Sequence, residues 1–198
     1  MNTRLIAAAL LFAGVFILGF WLKLGGHPAI DPWLSQIASA GRDRSGFWLS
    51  LSQFGQSRVV GALAVLAAIA LWMNGRGRAA VVLVAVVAVQ ISTNALLKLL
   101  FARSRPDLFE HLDLVNDLSY PSGHSAQNAC FYLLLALILH RHTAWVGVPL
   151  LLLIGTSRVV LGVHWPSDVI GGWMEGVAFA LVGAWLVDAN VLRRRPER

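Results

Sequence analysis

Long apolar stretches separated by short polar ones run through the chain. Six of them contain no charged side chain, apart from one glutamate in the last, and they cover residues 5–22, 59–75, 79–97, 125–139, 143–157 and 169–187. A helical bilayer crossing takes about 20 mainly apolar residues. The pattern therefore predicts an all-α fold: a six-transmembrane-helix bundle formed by a single integral-membrane domain over residues 1–198.

The polar connections between these runs differ in length. Segments 74–78 and 140–142 are short, which predicts that the helices they join are antiparallel neighbours. Between the first and second runs, residues 23–58 carry apolar side chains at roughly helical spacing among polar ones. This spacing is typical of one or two short interfacial helices. A loop packed on the bundle explains it equally well.

The composition supports a membrane protein and excludes several other classes. Of the 198 residues, 57% are hydrophobic and only 13% are charged, unlike the composition of a soluble globular domain. The formal net charge is +6, but the basic side chains lie at helix ends instead of on one solvated face, so no nucleic-acid partner is expected. Because Cys130 is the single cysteine, an intramolecular disulfide and a cysteine-built metal site are excluded.

On each side of the predicted membrane, eight lysine or arginine residues flank the apolar runs. One set is Arg4, Arg76, Arg78, Arg141, Arg193, Arg194, Arg195 and Arg198; the other is Lys23, Arg42, Arg44, Arg58, Lys98, Arg103, Arg105 and Arg158. Several members of the second set lie in polar motifs that need them for chemistry. When those are discounted, the positive-inside rule places both termini in the cytoplasm. The first run is interpreted as an anchor, because it has 18 residues and no small-x-small cleavage site follows it.

Three polar clusters interrupt the apolar pattern, each at the end of a predicted helix. They are residues 98–106 after the third run, 121–124 before the fourth, and 157–168 between the fifth and sixth. Successive helices alternate in direction, so these ends meet on one face of the bilayer, which the charge argument makes the extracytoplasmic face. Polar groups in such a setting are costly and indicate function.

The first group of residues in these clusters suits a phosphate. Lys98, Arg105 and Arg158 are fixed cations, and arginine forks match tetrahedral oxyanions. Ser122 offers a hydroxyl donor, and Gly123 brings backbone N–H groups and a helix N-terminus close to an anion. Together these five residues predict a phosphate-binding site.

The second group suits acid–base and nucleophilic chemistry. His164 and Asp168 are four residues apart on one helical face, so the carboxylate can accept the Nδ1 proton and leave Nε2 as a nucleophile. His124 can then protonate the leaving oxygen as a general acid. These three residues are the predicted catalytic set.

Other polar residues receive less specific interpretations. Glu175 lies about three turns after His164, and we expect it to hydrogen-bond a polar residue of the third or fourth run and fix packing. Arg103 is expected to be a solvated or headgroup-facing cation. The acidic segment 107–120 is expected to be a solvated loop, with headgroup screening as the alternative. Histidines without a motif around them are expected at the surface or interface: His27, His111, His140 and His142.

The three clusters together resemble the signature motifs of a known family. Residues 98–106 read KX6RP, 121–124 read PSGH and 157–168 read SRX5HX3D. In this order they look like the motifs of the type 2 phosphatidic acid phosphatase superfamily, and six spans resemble its integral lipid phosphatases. The resemblance implies a metal-independent, cofactor-free phosphatase that works through a phosphohistidine. It assigns attack to His164, its orientation to Asp168, and both leaving-group protonation and water activation to His124.

The expected reaction is hydrolysis of membrane lipid phosphates or diphosphates at the extracytoplasmic face of a bacterial inner membrane. Phosphatidic acid, phosphatidylglycerol phosphate, undecaprenyl diphosphate and lipid A phosphate all remain open as substrates, and the sequence carries no signal for an oligomeric state. A phosphotransferase that uses a lipid alcohol in place of water is one alternative. A transporter would need charges through the depth of the bilayer, and a non-catalytic lipid-binding protein would not need the two histidines and Asp168.

Overall fold

The computed structural model describes residues 2–115, 118–139 and 144–193. All regular structure in these ranges is helical, which confirms the predicted all-α fold. The α-helices are α1 Thr3–Lys23, α2 Ile30–Ser39, α3 Ser45–Gln53, α4 Ser57–Met73, α5 Gly77–Phe101, α6 Gly123–Leu139, α7 Ala144–Val160 and α8 Pro166–Arg193, with one 3-10 turn at Arg42–Arg44.

The six apolar runs fall almost wholly within six of these helices. A helix must also be long enough to cross a bilayer, and not all six are. Among the described residues, three helices are long and apolar enough to cross a bilayer: α1, α5 and the Pro166–Asp188 part of α8. Arg42–Gln53 and Ser57–Met73 together form a fourth candidate span, bent by 41° at its break. Helix α6 and the Gly147–Val160 part of α7 are apolar but shorter. Six crossings therefore stay a prediction.

Two short helices, α2 and α3, occupy the long connection after α1. The prediction of short helices is therefore confirmed for that segment, and the alternative of a packed loop is not. Their orientation is unusual. The buried side chains of both helices are polar, namely Asp31, Ser35 and Ser52. In contrast, Trp33 is 62% exposed and Phe47 is 57% exposed. Both helices thus turn a polar side towards the bundle and an apolar side outwards.

Helix α8 is the centre of the bundle and packs against α6, α1 and α5. Glycines make the contact with α6 close: a Cβ atom at Gly176 would collide with the Ala126 carbonyl and Ala129. Small residues allow this approach between membrane helices. Gly75, at φ +72°, lies in the tight turn between α4 and α5, which pack side by side as predicted. The turn predicted at 140–142 lies outside the described residues.

The two ends of the bundle carry different groups. At one end, Arg4 at the start of α1 forms an ion pair with Asp188 near the end of α8, and Arg76 donates to the Ile138 carbonyl at 2.5 Å. At the other end, Lys23 donates to the Leu100 carbonyl at 2.6 Å. The start of α1 and the last part of α8 therefore share an end of the bundle, opposite to the three polar clusters.

Candidate active site

The three polar clusters lie at one end of the bundle and meet around a cavity of about 230 Å³. Six predicted site residues line it: Lys98, Arg105, Gly123, His124, Arg158 and His164. The remaining wall is formed by Ser57, Ile91, Asn94, Ala95, Val115 and Gln127. Residues from α4, α5, α6 and α7 and from the loop before α8 are thus brought to one place.

His164 lies in the turn between α7 and α8, where its N–H donates to the Arg158 carbonyl at 3.2 Å. The side chain is buried, with its Nδ1 atom 3.5 Å from Asp168 Oδ2. Its Nε2 atom lies 3.3 Å from Arg105 Nη1, a side chain that lines the cavity. The ring therefore presents one nitrogen to Asp168, as predicted, and the other to Arg105. The prediction that His164 and Asp168 share one helical face was wrong, because α8 begins at Pro166 and His164 lies in the turn before it.

Asp168 is fully buried in the first turn of α8 and does not line the cavity. Its Oδ2 atom accepts a hydrogen bond from the Trp165 N–H at 2.8 Å, the reach-back geometry of a helix capping box. The same oxygen accepts from the Ser119 hydroxyl, which lies 3.4 Å from His164 Nδ1. Ser119 was missed from the sequence, because its place two residues before the second cluster carries no spacing signal.

Arg103 departs from its sequence interpretation. Its side chain is only 12% exposed and forms ion pairs with Asp31 at 2.7 Å and Asp168 at 2.5 Å. Its guanidinium also lies 5.6 Å from the centre of the Trp165 ring. The prediction of a solvated cation was wrong because one carboxylate comes from α2, 72 residues earlier, and the sequence does not show that α2 packs there.

Lys98 and Arg105 both donate hydrogen bonds to the Leu118 carbonyl. Lys98 donates to the Leu118 carbonyl, and Arg105 donates to the Val163 carbonyl and, at 3.5 Å, to Leu118 as well. Lys98 is buried and Arg105 is half-buried. Both cations therefore stand in a partly desolvated wall, where attraction to an oxyanion is stronger than in water.

Arg158 is the largest fully buried side chain of the described residues, with 1% of its surface exposed. It donates to the Ser52 hydroxyl and to Asp113 Oδ2, the latter at 2.5 Å. Asp113 belongs to the acidic segment expected to be a solvated loop, so that prediction was wrong for this residue. The Glu110 carbonyl of the same segment accepts from Arg42 at 2.6 Å, and the segment is thereby docked on the bundle. Asp117 lies outside the described residues.

Ser122 and Gly123 occupy different positions relative to the cavity. Ser122 is fully buried, accepts a hydrogen bond from the Ser125 hydroxyl at 3.1 Å, and is not part of the cavity wall. Gly123 begins α6 and does line the wall, where a Cβ atom would lie 3.0 Å from Asn94 Oδ1. The first turn of α6 accordingly brings backbone N–H groups and the positive end of the helix dipole to the cavity.

Glu175 behaves as predicted. Its two carboxylate oxygens accept hydrogen bonds from α5, Oε1 from Gln90 at 3.1 Å and Oε2 from Asn94 at 2.7 Å. Glu175 does not line the cavity, although Asn94 does. It therefore joins α8 to α5 just behind the site.

Tyr120 anchors the second cluster to α1. Its hydroxyl donates to the Val15 carbonyl at 2.8 Å, and burial, reinforced by the charges of Asp168 and Glu175, raises the pKa of the phenol well above its usual range. The hydroxyl thus remains a donor at all working pH values.

In the described part of the chain, the remaining histidines and the side chains that could bind a metal form no second catalytic or metal site. His27 and His111 are exposed, as expected, while His140 and His142 lie outside the described residues. Within the ranges described, no three His, Cys, Asp or Glu side chains are grouped so that they could hold a metal ion.

Comparison with known proteins gives consistent matches. Residues 78–192 match the model of the PAP2 superfamily. Phosphatidylglycerophosphatase B of Bacillus subtilis is 39% identical over 95 residues, covering 42% of this chain and 46% of that protein. Decaprenylphosphoryl-5-phosphoribose phosphatase of Mycobacterium tuberculosis is 36% identical over 165 residues, covering 77% and 85%. The chain spans less than half the length of several of its curated relatives.

The fold has a close structural counterpart. The crystal structure of a transmembrane PAP2-type phosphatidylglycerolphosphate phosphatase from Bacillus subtilis superposes with a TM-score of 0.78, covering 96% of this chain and 98% of that one at 24% identity. This likeness concerns the architecture, and the sequence match concerns the segment that carries the three motifs. Because the family model covers more than half of the chain and a curated relative is 36% identical over 77% of it, the chain belongs to the PAP2 superfamily.

Proposed function

We propose that this protein is a membrane lipid phosphatase that hydrolyses a lipid phosphate or diphosphate through a covalent phosphohistidine. The observation that carries the proposal is that one cavity is lined by His124, His164 and the three cations Lys98, Arg105 and Arg158. Two potential proton-transfer or nucleophilic groups facing three phosphate-binding groups suit phosphoryl transfer better than transport. The names of the relatives, which describe lipid phosphatases, point the same way.

In the first step, the cations and the α6 N-terminus hold the phosphate oxygens, and His164 Nε2 attacks phosphorus. The P–N bond forms as the bond to the leaving oxygen breaks, and His124 gives that oxygen a proton. Asp168 accepts the Nδ1–H hydrogen bond and offsets the positive charge that develops on the ring. Hydrolysis by this route needs no metal ion or other cofactor.

In the second step, His124 is neutral and takes a proton from a water molecule that attacks phosphorus. The P–N bond breaks, its electron pair returns to His164 Nε2, and inorganic phosphate leaves. An alcohol of a second lipid at the position of water would convert the reaction into phosphotransfer, so the acceptor distinguishes the two activities.

The proposed substrate is a lipid whose phosphate stands at the headgroup level, such as phosphatidic acid, phosphatidylglycerol phosphate, undecaprenyl diphosphate or lipid A phosphate. Arg4 and Arg76 lie at one end of the bundle, and by the positive-inside rule they favour a cytoplasmic location for that end. The site lies at the opposite end. We therefore place the site at the extracytoplasmic face of a bacterial inner membrane, with six spans and both termini in the cytoplasm. Lipid tails would then stay in the bilayer during the reaction.

The test is phosphate release by the purified protein in detergent containing EDTA, with these four lipids offered separately. His164→Ala is the inactive variant, and His111→Ala is the matched control, because His111 is exposed and outside the cavity. We expect release from at least one lipid, retained in His111→Ala and lost in His164→Ala. Full activity in His164→Ala would refute the mechanism. Phosphorylation of an added acceptor lipid, with no release of inorganic phosphate in its absence, would establish the phosphotransferase.

A further inference from the structure

Asp31 and Arg103 form an ion pair beside the site that none of the three motif clusters predicts. The exposed fractions of the two side chains are 4% and 12%, and their closest atoms are 2.7 Å apart. Asp31 stands on α2, a helix that contributes nothing to the cavity around His164. The pair therefore needs an explanation other than phosphate binding.

Asp31 holds the first turn of α8. Its Oδ1 atom accepts the Ser167 N–H at 2.8 Å, and its Oδ2 atom accepts the Ser167 hydroxyl at 2.7 Å. The N–H groups of a first helical turn have no partner within the helix, so an external carboxylate satisfies one of them and matches the helix dipole. Asp31 thus fixes the residue directly before Asp168.

Arg103 continues this contact to Asp168 itself. One guanidinium nitrogen binds Asp31, and the other binds Asp168 Oδ1 and, at 2.8 Å, the Ser167 hydroxyl. The two Asp168 oxygens are consequently divided between two sides. Oδ1 is held by Arg103, and Oδ2 is left to the Trp165 N–H, the Ser119 hydroxyl and the facing His164 ring.

We infer that Asp31 and Arg103 are positioning residues, which act on the reaction through Asp168 by fixing the plane of its carboxylate against His164 Nδ1. The inference rests on the proposed function of His164 as the nucleophile. A carboxylate held on one side only can rotate, and misplacement of a reacting group by 1 Å can cost about 100-fold in rate.

Asp31 also sets the charge beside His164. Two carboxylates share one guanidinium, so the group of Asp31, Arg103 and Asp168 carries a formal charge of −1. This residual charge stabilises the cationic ring of the phosphohistidine. If Asp31 were neutral, Arg103 would balance Asp168 completely, and that stabilisation would weaken.

The test is a set of variants assayed on the lipid that wild-type protein hydrolyses. Asp31→Asn keeps the side-chain shape and an acceptor for Ser167, and Arg103→Gln removes the guanidinium. We expect kcat to fall about 10-fold in Asp31→Asn and on the order of 100-fold in Arg103→Gln, with KM within about 3-fold of wild type. Arg103→Lys should recover part of the loss, since a lysine keeps the charge but cannot bridge both carboxylates.

A double-mutant cycle separates positioning from a general structural role. In an Asp168→Asn background, Arg103→Gln should reduce kcat by less than about 2-fold further, because the group through which it acts is already impaired. The matched control is Arg4→Gln, which breaks an arginine–aspartate pair at the opposite end of the bundle. It should leave kcat unchanged.

Three results would overturn the inference. They are fully additive losses in the Asp168→Asn background, a rise in KM with kcat unchanged, or wild-type kinetics in both single variants. If Arg103→Gln does not fold, as judged by gel filtration and thermal unfolding in detergent, Asp31→Asn and Arg103→Lys decide the question. A wild-type protein that releases phosphate from no lipid would instead refute the proposed function, and the two failures are thereby distinct.

Discussion

Glu175 offers the sharpest test of how the bundle is held together behind the site. It is fully buried in α8, and its carboxylate accepts one hydrogen bond from Gln90 and one from Asn94, both on α5. Replacing it with leucine keeps a comparable volume and removes both acceptors. Two buried amide groups would then lose their partner.

The magnitude follows from the desolvation of those two groups. Each buried donor left without a partner costs about 1–3 kcal/mol, so Glu175→Leu should lower the free energy of unfolding by about 2–6 kcal/mol. Glu175→Gln behaves differently. The Gln90 Oε1 atom is buried without a hydrogen-bond partner, so it can accept from the new amide N–H once the contacts rearrange. We expect a loss of about 1 kcal/mol for this variant.

The assay is thermal or chemical unfolding in detergent, followed by activity per folded molecule. Glu175→Gln should remain folded and active, while Glu175→Leu should unfold at a markedly lower temperature. A folded but inactive Glu175→Gln would show that the carboxylate takes part in the chemistry and would refute the packing role. A Glu175→Leu variant as stable as wild type would refute the expected cost of leaving the Gln90 and Asn94 amide groups without a partner.

Three further changes test other parts of the site. Ser119→Ala removes the hydroxyl between Asp168 and His164, and kcat should fall about 10-fold with KM nearly constant, since the imidazole loses part of its support. Gly123→Ala adds a Cβ atom 3.0 Å from Asn94 Oδ1, so kcat/KM should fall at least about 10-fold in steady-state assays, and wild-type kinetics would contradict a tight wall there. Gly176→Val should give little folded protein in gel filtration, because its side chain would collide with α6; a monodisperse, active variant would disprove that close contact.

The sequence predicts those features that depend on residues near one another in the chain. The apolar runs become helices because helix formation satisfies backbone groups locally. The four-residue spacing predicts the His164–Asp168 pair, although His164 lies in the turn before α8 and not on the helix. Alternating helix direction predicts that the three clusters lie at the same end of the bundle, whereas their meeting around one cavity depends on the packing of the helices. Glu175 was also placed correctly, since a deep carboxylate requires a polar partner.

What the sequence does not predict depends on partners that are distant in the chain. Arg103 is exposed or buried according to where Asp31 lies, and only the packing of α2 on α8 decides that. Arg158 and Asp113 are 45 residues apart, so an acidic loop residue could not be distinguished from a solvated one. Ser122 shows the same limit on a smaller scale, because its neighbour Gly123 faces the cavity and Ser122 does not.

Helix α2 is held to the bundle by polar contacts and shows apolar side chains to its surroundings, with Ile37 56% exposed and Trp33 62% exposed. Water would penalise that outer surface, so surrounding lipid or detergent stabilises the helix in this position in addition to its polar contacts. Stripping lipid from the protein should therefore loosen α2 before the main helices separate, and Asp31 would leave with it. Loss of activity on delipidation would then come earlier than loss of helix content, and adding lipid back would restore the rate without any refolding of the bundle.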